Sequence, residues 1–312
     1  MKLAVLCLLL ASNCAWCEEA VSIRFRAMVG SEELACGRKY PGIGTTKSTI
    51  TPRDFRFYLH NIRLIDEAGR EVPIELTQDG KWQLDNVALL DFEDATGACQ
   101  NGTPETNRAV AGTVPGGSRY RGLRFTLGVP VEKNHTDLMS MPSPLNLTAL
   151  AWVWNAGRKF ARLDFSSTGA PRGYLIHLGS TGCTPAKCIS PNRPEIEIAG
   201  FDPAKDEVIA DLAALLKDSN VDITPGCMSD PDAASCRPIL ANFGLQPPRS
   251  QTFFRSVGRT PSNSPKSNDP AIVVGQAILP AAAFQAARTD AGGRLKAGCS
   301  QDWLPHELRD KP

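Results

Sequence analysis

The 312 residues carry 34 lysines and arginines against 33 aspartates and glutamates, a formal net charge of +1. That balance gives no sign of a nucleic-acid or anionic-membrane partner, and no basic stripe is visible in the chain. A hydrophobic share of 42% and a charged share of 21% describe an ordinary globular chain, long enough for one large all-β domain or two smaller ones.

Residues 1–17 read as a signal peptide. Lys2 is the positive start, and Leu3 to Ala11 is apolar but too short to span a bilayer. Ala15-Trp16-Cys17 is the best small-x-small cleavage site, with Glu18 next. Asn13 and Trp16 precede Cys14 and Cys17, so neither makes a good lipobox. A lipid anchor is the lesser expectation, and a soluble periplasmic or secreted protein the main one. Of ten cysteines, Cys7, Cys14 and Cys17 leave with the leader. In an oxidising compartment the rest are disulfide candidates first and metal ligands second. Cys183/Cys188 and Cys227/Cys236 are local pairs, Cys36 with Cys99 is a long-range pair, and Cys299 is left odd. No C-x-x-C occurs, against a thioredoxin-like motif or zinc ribbon.

Residues 21–29 alternate apolar and polar and predict a half-buried strand. Residues 37–52, rich in glycine and proline, predict a loop with a short strand. Residues 54–66 alternate again, with Phe55, Phe57 and Leu59 on one face. A turn at Ala68-Gly69 leads into EVPIEL, making a β-hairpin. Residues 81–92 predict another strand, 95–118 a long loop holding Cys99, and 119–129 a strand. A second long loop, 130–146, precedes LTALAWVWNAGRKFARLDF (147–165), which predicts a long strand, a turn at Asn155-Ala156-Gly157 and a return strand.

Strands follow at 172–178 and 195–201. Residues 206–217 fit a short helix by pattern and a strand by context, and one helical turn is expected at 238–243. Short strands between turn-rich loops predict an all-β fold, an antiparallel β-sandwich with long loops and disulfides. The domain reading is 1–17 signal peptide, 18–255 sandwich, and 256–312 a loosely ordered C-terminal extension packed on it, with a peripheral strand or helix at 271–286.

Trp152 and Trp154 are two apart. On a strand both indoles leave one face, with centres roughly 7 Å apart. Two aromatics packed in a sheet explain this spacing, and so does a reactive site. Histidine is scarce: His60, His135, His177 and His306. His60 reads as a satisfied structural residue and His306 as a solvated tail residue. His135, in the loop feeding the W-x-W strand, and His177, ending the strand after the hairpin, converge near the tryptophans. Paired imidazoles suit copper, zinc, iron or nickel. Met139 and Met141 add thioethers that either line a Cu(I) site or pack under the loop. Intact indole is no ligand, because its N–H only donates. Ring opening to kynurenine would expose an aniline nitrogen with a usable lone pair.

Phe55-Arg56-Phe57-Tyr58-Leu59-His60-Asn61, Leu90-Asp91-Phe92-Glu93, Tyr120-Arg121-Gly122-Leu123-Arg124-Phe125, Asn134-His135-Thr136-Asp137, Trp152-Val153-Trp154, Gly157-Arg158-Lys159-Phe160-Ala161-Arg162-Leu163-Asp164 and His177-Leu178-Gly179-Ser180-Thr181-Gly182-Cys183 occur in this order. Together they make the chain, over roughly residues 20 to 255, resemble the MbnP-like copper-binding proteins, the four-Cys, W-x-W members of metallo-mystery pairs. The resemblance implies an exported β-rich protein that binds copper, which the histidine and thioether donors above would suit as Cu(I). Its partner would be a di-haem MauG-like cytochrome peroxidase that oxidises a tryptophan to kynurenine. His135 and His177 would be ligands, Trp152 or Trp154 the modified residue, and Cys36, Cys99, Cys183 and Cys188 the disulfide set.

The expected role is thus a non-enzymatic copper-binding protein completed by tryptophan oxidation. The alternative is a metal-free, disulfide-stapled β-sandwich acting as a binding or structural module, with His135 and His177 held in separate hydrogen bonds. A hydrolase is the weakest reading, since neither G-x-S-x-G nor H-E-x-x-H occurs. Asp91, Glu93 and Asp94 are expected to be solvated, as acidic pairs in strand-end loops generally are.

Overall fold

The computed structural model describes residues 18–152, 157–184, 187–247 and 249–259. They belong to one compact unit, Met1–Pro261; the second unit, Ser262–Pro312, lies outside the described residues. So do the leader, Trp154, Cys299, His306 and nearly all of the expected C-terminal extension.

Two sheets form the all-β fold. One runs in the order Phe254–Gly258, Asp206–Asp211, Glu18–Val29, Ala109–Pro115, Glu75–Leu76. The other runs Glu195–Ala199, Tyr120–Leu127, Ser48–Asp66, Ala161–Ser167, Leu175–Leu178, Gly226–Cys227, with further short strands on Ser48–Asp66. Pairing is antiparallel except at Glu18–Val29 with Asp206–Asp211 and at Leu175–Leu178 with Gly226–Cys227. Among the described residues, three disulfides join Cys36 to Cys99, Cys183 to Cys188 and Cys227 to Cys236, the two local pairs and the long-range pair expected.

The long strand Ser48–Asp66 carries the core. Phe55 and Phe57 pack edge-on to each other, and Phe57 also meets Phe25 and Phe254 of the facing sheet. Alternation does not persist along the whole strand. Asn61 adopts φ +52°, and the register against Tyr120–Leu127 slips between Arg124 and Thr126. The extra residue is a β-bulge, which transfers the core-facing positions from Phe55, Phe57 and Leu59 to Ile62 and Leu64.

Two expectations need correcting, one ambiguity resolves into both of its alternatives, and one boundary falls within a strand. Residues 95–118 are not all loop, since Ala109–Pro115 is a strand between Glu18–Val29 and Glu75–Leu76. Its Gly112 is where the two backbones meet: a Cβ there would collide with the Glu75 carbonyl. The first strand expected within 147–165 is instead a 3₁₀ turn at Thr148–Leu150 and the two-residue strand Ala151–Trp152. Residues 206–217 are both things weighed for them, a strand at Asp206–Asp211 and a helix at Leu212–Leu216. Asp211 caps that helix by accepting from the Ala213 and Ala214 amides. Finally, the boundary expected at 255 falls inside the strand Phe254–Gly258, which pairs with Asp206–Asp211.

Candidate metal centre

The outer face of the larger sheet carries a buried ionic row. Register places Asp91 beside Arg56, Arg56 beside Arg162, and Arg162 beside His177 across four strands. Asp54 and Asp164 pair one step along the same face. Arg56 Nε donates to Asp54 at 2.8 Å, and Arg162 Nε bridges Asp54 at 3.1 Å and Asp164 at 2.7 Å. His177 Nε2 hydrogen-bonds Asp164 Oδ2 at 3.4 Å and lies 3.1 Å from Oδ1 as a charge contact. The loops around Asn101 and Ala149 close over the row: the Asn101 carbonyl accepts from Arg56, and the Ala149 carbonyl from Arg162 and Lys159.

Burial pushes the Asp54 carboxyl up, against the pull of Arg56 and Arg162. It also raises Asp164, but the hydrogen bond and charge of His177 with the Arg162 guanidinium outweigh it and leave that carboxyl low. Burial raises Asp91 to about 7 despite Arg56, and raises Glu93 as well. Asp91 and Glu93 are therefore not the solvated acids expected from sequence. They are buried and face the Arg56 charge.

His177 ends the strand Leu175–Leu178, pointing away from the core side of Ile176 and Leu178. An ionised Asp164 only accepts, so the proton facing it stays on Nε2, and the ring must shed its Nδ1 proton to bind a metal. Nδ1 then holds the lone pair. It is buried and, among the described residues, has no hydrogen-bond partner. A carboxylate on one ring nitrogen and a free lone pair on the other is the arrangement of a metal-binding histidine. Two residues on is Gly179, where a Cβ would fall 2.6 Å from Cζ3 of Trp152. The buried indole of Trp152 thus occupies the space that a side chain at position 179 would take.

His135 is presented differently. It follows the short helix Val131–Asn134 at its C-cap and is exposed. The buried Arg158 guanidinium clamps this segment, donating to the carbonyls of Lys133, Asn134, Thr136 and Leu145. Asn134 Oδ1 accepts the Arg158 amide, and its Nδ2 lies 2.9 Å from His135 Nε2. Gly157 leaves room for the imidazole, since a Cβ there would lie 3.1 Å from His135 Cε1. His135 and Trp152 line one cavity of about 280 Å³ with Asp137, Leu138, Thr148, Gly157 and Arg158. On its other side His135 lines a second cavity with Cys188, Lys187 and Arg193.

The structure therefore brings His135 to Trp152, and Trp152 to the strand end beside His177. The two imidazoles are held by separate hydrogen bonds, to Asn134 and Asp164. Met139 is exposed, while Met141 is half-buried against the core. His60 hydrogen-bonds through Nδ1 to the Gly128 carbonyl. Sequence reasoning missed Asp164, Arg158 and Gly179 as determinants. Asp164 carried a readable signal, an acidic residue in the return strand of the hairpin. Nothing in the sequence assigned Arg158 its four carbonyls.

Fold and site together define a disulfide-stapled β-sandwich with a cavity lined by histidine and tryptophan over one sheet face. The chain belongs to the MbnP family, whose profile matches residues 18–229. The structure of MbnP from Methylosinus trichosporium is similar, with a TM-score of 0.68 and 28% sequence identity, over 78% of this chain and 99% of that one. No curated protein matches. Membership associates the chain with copper handling. Among the described residues, no helix is long and apolar enough to cross a membrane.

Proposed function

We propose that the protein is an exported, non-enzymatic copper binder whose site is completed by oxidation of Trp152 to kynurenine. His177 and His135 supply imidazole nitrogens, and the oxidant is a di-haem MauG-like partner peroxidase. The observation that carries this reading is the His177 ring. Asp164 holds Nε2, Nδ1 is buried with a lone pair, and the Trp152 indole sits against Gly179 two residues away. Imidazole and an aniline nitrogen are donors compatible with copper, and Cu(I) tolerates few ligands of this kind. Asp164 orients His177, while Arg158 and Asn134 hold the loop that carries His135. Met141 packs against the core and Met139 projects outward, so thioether ligation is no part of this reading.

Separate hydrogen bonds at the two histidines favour the second reading, a metal-free stapled module. Intact mass, peptide mapping and copper content of protein co-expressed with the haem partner separate the two. The expected result is a Trp152 peptide that has lost one carbon and gained one oxygen, with one copper retained only in that form. The Trp152→Phe variant should lose both changes. An unmodified peptide without copper would establish the metal-free module.

A further inference from the structure

The hairpin that carries the Cys183–Cys188 disulfide faces His135, and this juxtaposition has no part in the copper reading above. His135 Nε2 lies 3.5 Å from Cys188 Sγ. One donor atom from each of His135, Cys183 and Cys188 lies within 4.8 Å of the others. We propose that reduction of this disulfide creates a second metal site, in which the Cys183 and Cys188 thiolates and His135 Nε2 bind one thiophilic ion of the zinc class.

Geometry supports the donor set. Zinc–sulfur bonds of about 2.3 Å and zinc–nitrogen bonds of about 2.0 Å place tetrahedral N and S donors about 3.5 Å apart, and two sulfurs about 3.8 Å apart. The nitrogen–sulfur edge already has that length. The sulfurs need only separate from bonding distance. The backbone keeps them adjacent without the covalent bond, because Cys183 and Cys188 are cross-strand partners in the antiparallel pair Thr181–Cys183 and Cys188–Ser190. Thr181 pairs with Ser190, and the Thr184 amide donates to the Lys187 carbonyl at 2.8 Å. Cβ atoms of directly opposed strand residues lie about 4.5–5.5 Å apart, within reach of one ion for two thiolates. On the nitrogen side, Asn134 Nδ2 points at His135 Nε2 at 2.9 Å. An amide N–H donates there, so Nε2 holds a lone pair, and metal binding replaces that hydrogen bond.

Access also distinguishes this disulfide. Cys183 and Cys188 are both partly exposed, and Cys188 lines a cavity of about 530 Å³ with His135. Cys99, Cys227 and Cys236 are at most 2% exposed, so each other bridge has a shielded sulfur. Exposed disulfides are the ones exchanged by thiolates. A dithiol reductant transfers two electrons and two protons to the Cys183–Cys188 bond, yielding two thiols and the cyclic disulfide of the reductant. Binding M²⁺ then displaces both thiol protons to solvent and leaves a neutral bis-thiolate complex with one imidazole. A water completes four-coordination.

The test uses Co²⁺ as a spectroscopic probe on the mature chain. The protein is reduced with dithiothreitol, freed of reductant without oxygen, and titrated with Co²⁺. One equivalent should produce thiolate-to-cobalt charge-transfer absorption and the intense visible bands of a tetrahedral ion. The oxidised protein should show neither. Cys183→Ser/Cys188→Ser should abolish the charge-transfer band, while Cys36→Ser/Cys99→Ser should keep it. His135→Gln should weaken Co²⁺ binding roughly tenfold or more, since even outer-shell partners of a ligand are worth 10–100-fold. A reduced wild type without the band overturns the proposal. So does a band that survives Cys183→Ser/Cys188→Ser, or one bound equally well by His135→Gln. Copper retention by the co-expressed, oxidised protein is scored separately, so either site can fail alone.

Discussion

His177 and His135 are held by two different kinds of structure. His177 is part of a sheet, its neighbours set by strand register and its ring by Asp164 in a row of buried charges. His135 stands on an exposed loop whose backbone is clamped by one arginine while its ring stays within reach of two cavities. The first arrangement is rigid and has one use. The second leaves the imidazole able to face Trp152 on one side or the Cys183–Cys188 hairpin on the other. Preorganisation therefore resides on the sheet side of the site, and adaptability on the loop side.

The largest difference between the two regions should appear on removing a charge from the row. Arg56→Ala leaves Asp54, Asp91 and Glu93 without their shared partner in a dry environment. A broken buried ion pair costs about 3–5 kcal/mol, so the unfolding free energy should fall by that much, read as a lower denaturant midpoint at unchanged slope. A loss below about 1 kcal/mol, the range of exposed pairs, would mean that water reaches the row.

Arg158→Ala should act locally. It strands four carbonyls, but loop carbonyls can turn to solvent, so a stability loss of about 2 kcal/mol is expected. Amide exchange should accelerate at residues 133–136 and not in the strands Ala161–Ser167 and Leu175–Leu178. Equal acceleration in both regions would deny the separation drawn above.

The smallest effect is a slope. Burial raises Asp91 in the folded protein to about 7, above its unfolded value. The folded state therefore holds the extra proton, and this group stabilises at low pH. That contribution is lost as pH rises through 7, at no more than about 1.4 kcal/mol per pH unit. Asp54 and Glu93 are shifted the same way. Asp164 is shifted oppositely, and its contribution is lost only as pH falls through its lowered value. Between pH 5 and 7, Asp91→Asn should flatten the fall in unfolding free energy measured by urea titration. An unchanged slope would assign the pH dependence to other groups.

The sequence by itself determined the strand-rich class, the family resemblance and the two local disulfides, Cys183–Cys188 and Cys227–Cys236. Those features are carried by local patterns: alternation, short cysteine spacings, and an ordered set of motifs. Local composition misled where a residue served a distant neighbour. Residues 95–118 read as one long loop, yet Ala109–Pro115 is a strand whose Gly112 crosses close to Glu75. Gly179 is the seat of an indole, which no residue beside it in sequence indicated. Asp91 and Glu93 looked solvated because nothing nearby in sequence showed the loops that cover them. The bulge at Asn61 shifted which positions face the core, which no regular period predicts. Only the tertiary structure decided that Asp164 holds His177, that Arg158 holds the His135 loop, and that His135 meets Cys188. Each of those contacts joins residues on different strands or loops, so each depends on register and burial, which exist only once the sheets have paired.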